Sequence, residues 1–320
     1  MRIDCHVHLS ALLPGHGEMS PRLLRSPQFW LLAKHFGVPI DPATTDEALE
    51  RVLVAQLNEA TELDAAVLLA FDAVYDLDGR RDDANTHLAL DNDYVRMLVG
   101  RHPKLLFGAS IHPYRRDALE ELERCVRGGA VLIKWLPITQ GIDPSHPKCF
   151  AFYDALAHYG LPLLSHTGGE KMLPNVNHLA DPTLLLPAVR RGVTVIAAHC
   201  GTRSTFREPD YLPQWCRMAL EHERFYGDTA ALNLPTRSYA YRTLLKDDRL
   251  RAKLVHGSDW PVPPVPPVTR LGPVEALRQI EQPNWLRRDM AIKRKLGLDD
   301  AYFDRAATLM CRAKPPAKIV

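Results

Sequence analysis

Eight short apolar, β-branched runs recur along the chain, and a longer segment with helical spacing separates each from the next. The runs cover residues 2–9, 65–71, 105–111, 131–136, 161–166, 193–199, 225–229 and 253–259; the helical segments cover 46–63, 92–102, 117–128, 149–160, 182–192, 212–223 and 236–247. Strands separated by helices must run parallel, since each helix carries the chain back to the starting edge. Eight such units in 320 residues fit a (β/α)₈ TIM barrel better than an open doubly wound sheet. No G-x-G-x-x-G follows the first run, which argues against a dinucleotide-binding fold.

The expected architecture is therefore α/β, one distorted barrel domain over residues 1–320. Residues 10–45 are inserted after the first strand as a candidate lid, and 273–320 form a C-terminal helical extension. The stretch 260–272, with Pro261, Pro263, Pro264, Pro266 and Pro267, follows the eighth strand. Both loops belong to the face at the strand C-termini, where barrels place their sites. For the Pro-rich stretch a plain connection weighs as much as a binding loop.

Composition narrows the partners. Apolar residues make up 46% and charged residues 24%, with a net charge of +2, as in an ordinary globular chain. Basic residues are scattered, so nucleic acid is not expected. Arg287-Arg288 and Lys293-Arg294-Lys295 read as the solvated face of one amphipathic C-terminal helix. The six cysteines form no C-x-x-C pair and read as reduced thiols. With no apolar leader and no membrane-length run, a cytoplasmic location without membrane contact is expected.

Metal-competent side chains fall at or near the ends of the predicted strands: His6 and His8 on the first, Lys134 on the fourth, His166 on the fifth, His199 on the sixth and Asp259 on the eighth. Barrel strands converge at that end, so residues distant in sequence share one space. Strand alternation puts His6 and His8 on one face, with Asp4 below them and Cys5 and Val7 opposite. It likewise groups Val195, Ala197 and His199, and Val255, Gly257 and Asp259. Each element has an ordinary alternative. An isolated H-x-H is more often structural, His166 could bond its own turn, and Asp259 could be turn chemistry. It is their joint placement that points to a divalent metal site.

The chain resembles the amidohydrolase superfamily, and within it the amidohydrolase-2-like group of hydrolases and decarboxylases. The resemblance rests on Ile3-Asp4-Cys5-His6-Val7-His8, Leu164-Ser165-His166-Thr167-Gly168, Ile196-Ala197-Ala198-His199-Cys200-Gly201 and His256-Gly257-Ser258-Asp259-Trp260-Pro261. It implies that His6, His8, His166 and Asp259 ligate a divalent metal. His199 then ligates a second metal or contacts substrate. On ligand type zinc leads, with manganese, iron or cobalt as alternatives. In two-metal members a carboxylated lysine ends the fourth strand, the position of Lys134. The alternative is an ammonium that binds a substrate carboxylate or pairs with a nearby acid.

The leading expectation is a hydrolase of a small ester-like, lactone or amide substrate. A metal would activate water and polarise the carbonyl, Asp259 would carry the proton, and His199 would stabilise the oxyanion. The runner-up is a non-oxidative decarboxylase of an aromatic or unsaturated acid; a silent ligand-binding barrel is the third reading. Substrate-contact candidates are His112, Asp72, Arg203 and Trp260, whereas Trp135 should point away from Lys134. A homo-oligomer is the family's common state.

Overall fold

The computed structural model describes residues 1–171, 174 and 176–310. Eight parallel strands form a nearly closed barrel: β1 Ile3–His8, β2 Ala65–Leu69, β3 Leu105–Ser110, β4 Ala130–Trp135, β5 Leu163–His166, β6 Val195–Ala198, β7 Phe225–Asp228 and β8 Leu254–Val255. They pair in sequence order, with helices such as Thr45–Glu59 and Leu212–Glu221 between them. The predicted helix over 236–247 is instead two short pieces, Ser238–Ala240 and Tyr241–Leu244.

The barrel closes where β1 meets the segment after β8. Cys5 N donates to His256 O (3.0 Å), Asp259 N to His6 O (2.9 Å) and His8 N to Trp260 O (2.8 Å). The last of these hydrogen bonds accompanies an isolated parallel bridge between Val7 and Trp260. This seam carries three of the expected ligands.

One buried cluster takes side chains from every strand and is therefore the barrel interior. It includes Cys5, Val67, Leu132, Leu164, Ile196 and Val255, with Leu106 and Tyr226 packed against it. Ala306 and Leu309 of the last helix, Asp300–Met310, join the cluster. That helix lies at the start of β1, since the Met1 amino group pairs with Asp304 at 3.1 Å. The opposite end is left for the site.

Simple alternation fails in two strands. The β1–β2 register shifts between Asp4 and Val7, a bulge that puts an extra residue into β1. Cys5 consequently belongs to the interior and Val7 to the outer core. Asp4 does not lie below the histidines. Its Oδ1 accepts from Ser258 N (2.9 Å) across the seam and from His6 N (3.1 Å) on its own strand. In β6, Ile196 and Ala198 face inward while Val195 and Ala197 pack outward. His199 nevertheless reaches the site because His199, Cys200 and Gly201 all take left-handed backbone, with φ of 61°, 52° and 70°.

The insertion after β1 is folded. Strand Gly17–Met19 pairs antiparallel with Leu88–Leu90, and helix Pro27–Phe36 follows. Met19, Leu23 and Phe29 form their own small core. Among the basic residues of helix Trp285–Lys295, Lys293 is fully buried, so the solvated-face reading fails for that residue. No helix among the described residues is long and apolar enough to cross a membrane. Cys311 lies outside the described residues.

Candidate metal centre

Ligand-bearing atoms meet at the C-terminal end of the seam. His6 Nε2 is 3.0 Å from His8 Nε2 and 3.4 Å from Asp259 Oδ1, and His8 Nε2 is 3.1 Å from the same oxygen. These separations match the edges of a coordination polyhedron: ligands ~2.0–2.1 Å from one ion stand roughly 2.9–3.4 Å apart. Among the described residues, His6, His8 and Asp259 are the group whose donor atoms cluster closely enough to share an ion.

Tautomers follow from the hydrogen bonds. His6 Nδ1 sits 2.6 Å from Asp228 Oδ2, and a carboxylate only accepts, so Nδ1 carries the proton and Nε2 is a bare donor for metal. His199 Nδ1 donates to Ala230 O at 2.9 Å, which leaves its Nε2 bare as well. His8 Nδ1 and His166 Nε2 are buried without a hydrogen-bond partner. Buried orphan nitrogens are expensive, and a ligated ion removes that cost for His166. The donor set therefore fits a divalent metal. His166 packs edge-on to His199 at 4.8 Å between ring centres.

Burial sets the charges. Desolvation pushes His8 down to about 4, His199 down to about 3 and His166 well below the ordinary imidazole value. All three are neutral at pH 7, the form that binds metal. Burial opposes the ionised form of Asp259, yet His6, His8 and His199 together hold its carboxyl well below the usual range. Lys134 is 1% exposed, with Nζ 3.0 Å from His6 Nε2. Desolvation brings its ammonium down to about 8. Trp135 packs outward between Phe152 and Tyr153.

The local motifs hold these side chains in place. Thr167 Oγ1 donates to Ala198 O (2.7 Å) and accepts from Gly201 N (3.0 Å), tying the end of β5 to the His199 turn. Gly168 has φ of 79°, and a Cβ there would lie 2.2 Å from Thr202 O. Only glycine fits that approach. Cys200 Sγ donates to Asp228 O at 3.1 Å.

The substrate-contact candidates fare differently. His112 Nε2 donates to Gln140 O (3.1 Å) and its Nδ1 accepts from Tyr114 N (3.2 Å), so both nitrogens are used locally. Trp260 does not wall the site. Its indole is 1% exposed in the outer core, donates to Gln56 Oε1 at 3.2 Å and packs near Phe36. Arg203 lies half-buried over the rings of Phe206 and Tyr239. Asp72 pairs with Arg115 at 3.2 Å and borders a cavity of about 430 Å³, shared with Phe71, Tyr75 and Arg81. Phe71 in turn stacks beside His8, 4.8 Å between ring centres. None of the ligand candidates lines this cavity.

Sequence reasoning missed two groups. Asp228 takes His6 Nδ1 on one oxygen and the backbone N–H groups of His199 (2.8 Å) and Ala230 (3.1 Å) on the other. Burial works against its charge, but His6 and His199 hold the carboxyl far below normal. The available signal was an acid at the end of the seventh apolar run. Arg237, 4% exposed, donates to Thr202 O, Thr202 Oγ1 and Gly169 O, bracing the loops after β5 and β6. Nothing in its surrounding sequence marks it.

Comparisons with known proteins bear on the family and the fold. A family model described as amidohydrolase matches residues 3–283. No curated protein matches. Among solved structures, an uncharacterised TIM-barrel protein from Bordetella bronchiseptica is similar at 15% identity with a TM-score of 0.58, covering 91% of this chain and 98% of that one. A putative 2-pyrone-4,6-dicarboxylic acid hydrolase from Pseudomonas putida matches at 14% identity and TM-score 0.55, covering 97% of each chain. A 2,6-dihydroxybenzoate decarboxylase from Rhizobium matches at 14% identity and TM-score 0.54, covering 97% and 98%. At such identities the likeness speaks for the fold.

Proposed function

The chain belongs to the amidohydrolase family, and from that premise we propose that it is a metal-dependent hydrolase of a small ester-like, lactone or amide substrate. The observation that carries this reading is how the Asp259 carboxylate divides. Oδ1 lies against His6 and His8, while Oδ2 stands 4.0 Å from His199 Nδ1. Oδ1 would serve the metal, which leaves Oδ2, on the His199 side, to take a proton from water and return it to the leaving group. His6, His8 and Asp259 would hold the ion, with His166 as a further ligand. A divalent ion bound there supplies Lewis acidity, acidifying water and polarising a carbonyl.

His199 has a fixed tautomer, so its Nε2 can accept but not donate a hydrogen bond while the ring is neutral. That suits a ligand to a second ion better than an oxyanion donor. Lys134 supports the same two-ion form. Its value near 8 leaves a fraction of neutral amine at pH 7, as the addition of carbon dioxide to form a carbamate requires. If Lys134 instead stays charged, it presents a buried cation to a substrate carboxylate, and the decarboxylase reading gains.

The test is metal content followed by a substrate screen. Zinc- or manganese-loaded protein should hydrolyse lactones or esters, and Lys134→Ala should lower the ion count from two to one. Release of carbon dioxide from aromatic acids without any hydrolysis would replace the hydrolase with the decarboxylase. Bound metal with neither activity would leave a silent barrel.

A further inference from the structure

Two candidate ligands of the metal centre face one another across the seam that closes the barrel. The regular β8 ladder ends at Val255, and the seam beyond it runs on three backbone hydrogen bonds among the described residues. Asp259 is also held at φ of 66°, a left-handed conformation that costs a non-glycine residue roughly 1–2 kcal/mol. Such a conformation persists only where its surroundings enforce it.

The enforcing groups come from both sides. Lys293 of helix Trp285–Lys295 is 0% exposed, and its Nζ donates to Gly257 O at 2.7 Å, two residues before Asp259. Its charge is met by Asp289 Oδ2 at 2.5 Å. Asp289 Oδ1 accepts from Asn233 Nδ2 (2.7 Å), and Tyr241 OH donates to Asn233 Oδ1 (3.0 Å). From β1, Asp4 Oδ1 bonds Ser258 N and His6 N at once, joining the backbone of one ligand to the turn of the other. A Cβ on Gly257 would stand 2.8 Å from His6 Cβ, which shows how closely the two strands are drawn together. A buried ion pair adds little net stability by itself. What this pair does locally is fix one carbonyl.

We propose that Lys293, with Asp289, and Asp4 are positioning residues that hold the turn 257–259 against β1, so that His6 and Asp259 keep their ligand spacing before any ion binds. The C-terminal helical extension is thereby a working part of the metal centre. This inference rests on the metal reading above.

The first test uses hydrogen exchange on the metal-free wild-type protein. The amides of Ser258 and Asp259 should be protected without metal. Free exchange that becomes protected only when zinc is added would mean that the ion organises the turn, and the proposal would be overturned.

The second test measures zinc affinity by chelator competition. Lys293→Met/Asp289→Asn removes donor and charge together, so no carboxylate is left unpaired. Asp4→Ala gives an independent route if that double variant does not fold. Zinc binding should weaken by about 10–100-fold, the usual size of an outer-shell defect. Lys253→Met, just before β8, serves as control: its Nζ donates to His222 O and Glu223 O ahead of β7, at the far end of the barrel, so its zinc affinity should not move. A lower melting temperature with unchanged zinc affinity in a folded seam variant would make the residues merely structural. Wild-type protein that binds no zinc would overturn the metal reading itself, a result distinguishable from a seam defect.

Discussion

At the level of single side chains, His6 has Nδ1 committed to Asp228 and Nε2 facing His8 and Lys134. Asp228→Asn keeps the shape but weakens the charge-assisted bond and frees the ring to change tautomer. Metal affinity should fall about 10–100-fold, measured by chelator competition. Asp259→Asn separates proton transfer from folding. Turnover should fall by ~10²–10⁴-fold while the circular dichroism of the barrel is unchanged; retention of full turnover would remove Asp259 from the mechanism. His6, His8, His166, His199 and Asp259 were legible as candidates because each lies at or near the end of a recognisable run. Asp228, Arg237 and Lys293 were not, because their roles are set by partners 222, 68 and 36 residues away. His112 shows the converse. Its place at a strand end was readable, but the two local hydrogen bonds that occupy its ring were not.

At the level of elements, the strands were legible to within about two residues, except for β8, because a buried parallel strand needs a continuous apolar run. Alternation within them was less so. The bulge in β1 and the left-handed turn after β6 each reverse which residues face inward, and neither leaves a mark in apolar spacing. The insertion after β1 is likewise more ordered than its Pro- and Gly-rich composition suggests. Asp46 anchors its start, accepting from Leu12 N (2.7 Å), Leu13 N (3.2 Å) and His16 Nδ1 (2.9 Å). Its far end packs inward: Phe36 lies 4.7 Å from the Trp285 ring and 5.7 Å from that of Trp260. Asp46→Ala leaves these donors unpaired, costing about 1–3 kcal/mol. If the insertion opens as a unit, its open population rises roughly 5- to 150-fold. Limited proteolysis should then cut between residues 10 and 45 faster while the barrel stays intact. Cleavage at the wild-type rate would show that the Phe36 contacts alone hold the insertion.

At the level of the whole molecule, the eight-fold alternation made the barrel legible, whereas its charge economy emerged only once burial was known. Desolvation, the largest cause in each case, lowers His8 and His112 to about 4, His199 to about 3, and His166 and His256 well below the usual value. A histidine depressed on folding takes up its proton in the unfolded chain first. Its contribution to stability is therefore complete above pH ~6.5 and lost as pH falls toward the folded value. Buried Asp4, Asp72 and Asp289 act the other way, since desolvation raises them, Asp289 to about 6. They contribute most below pH ~4, and that contribution is lost as pH rises through their folded values. Between pH 4 and 6 the five histidines outnumber the three carboxyls. The metal-free protein should therefore lose stability on acidification through that window, by on the order of 2–3 kcal/mol per pH unit at the steepest. Urea midpoints of the metal-free protein at pH 7, 6 and 5 measure this directly. A flat profile would mean that these imidazoles are solvated in the metal-free state. The same series with zinc present should be flatter down to the pH at which protons displace the ion, because ligated nitrogens cannot take up a proton. The gap between the two curves then reports how much of the acid sensitivity belongs to the metal centre, as distinct from His112 and His256, which lie outside the ligand cluster.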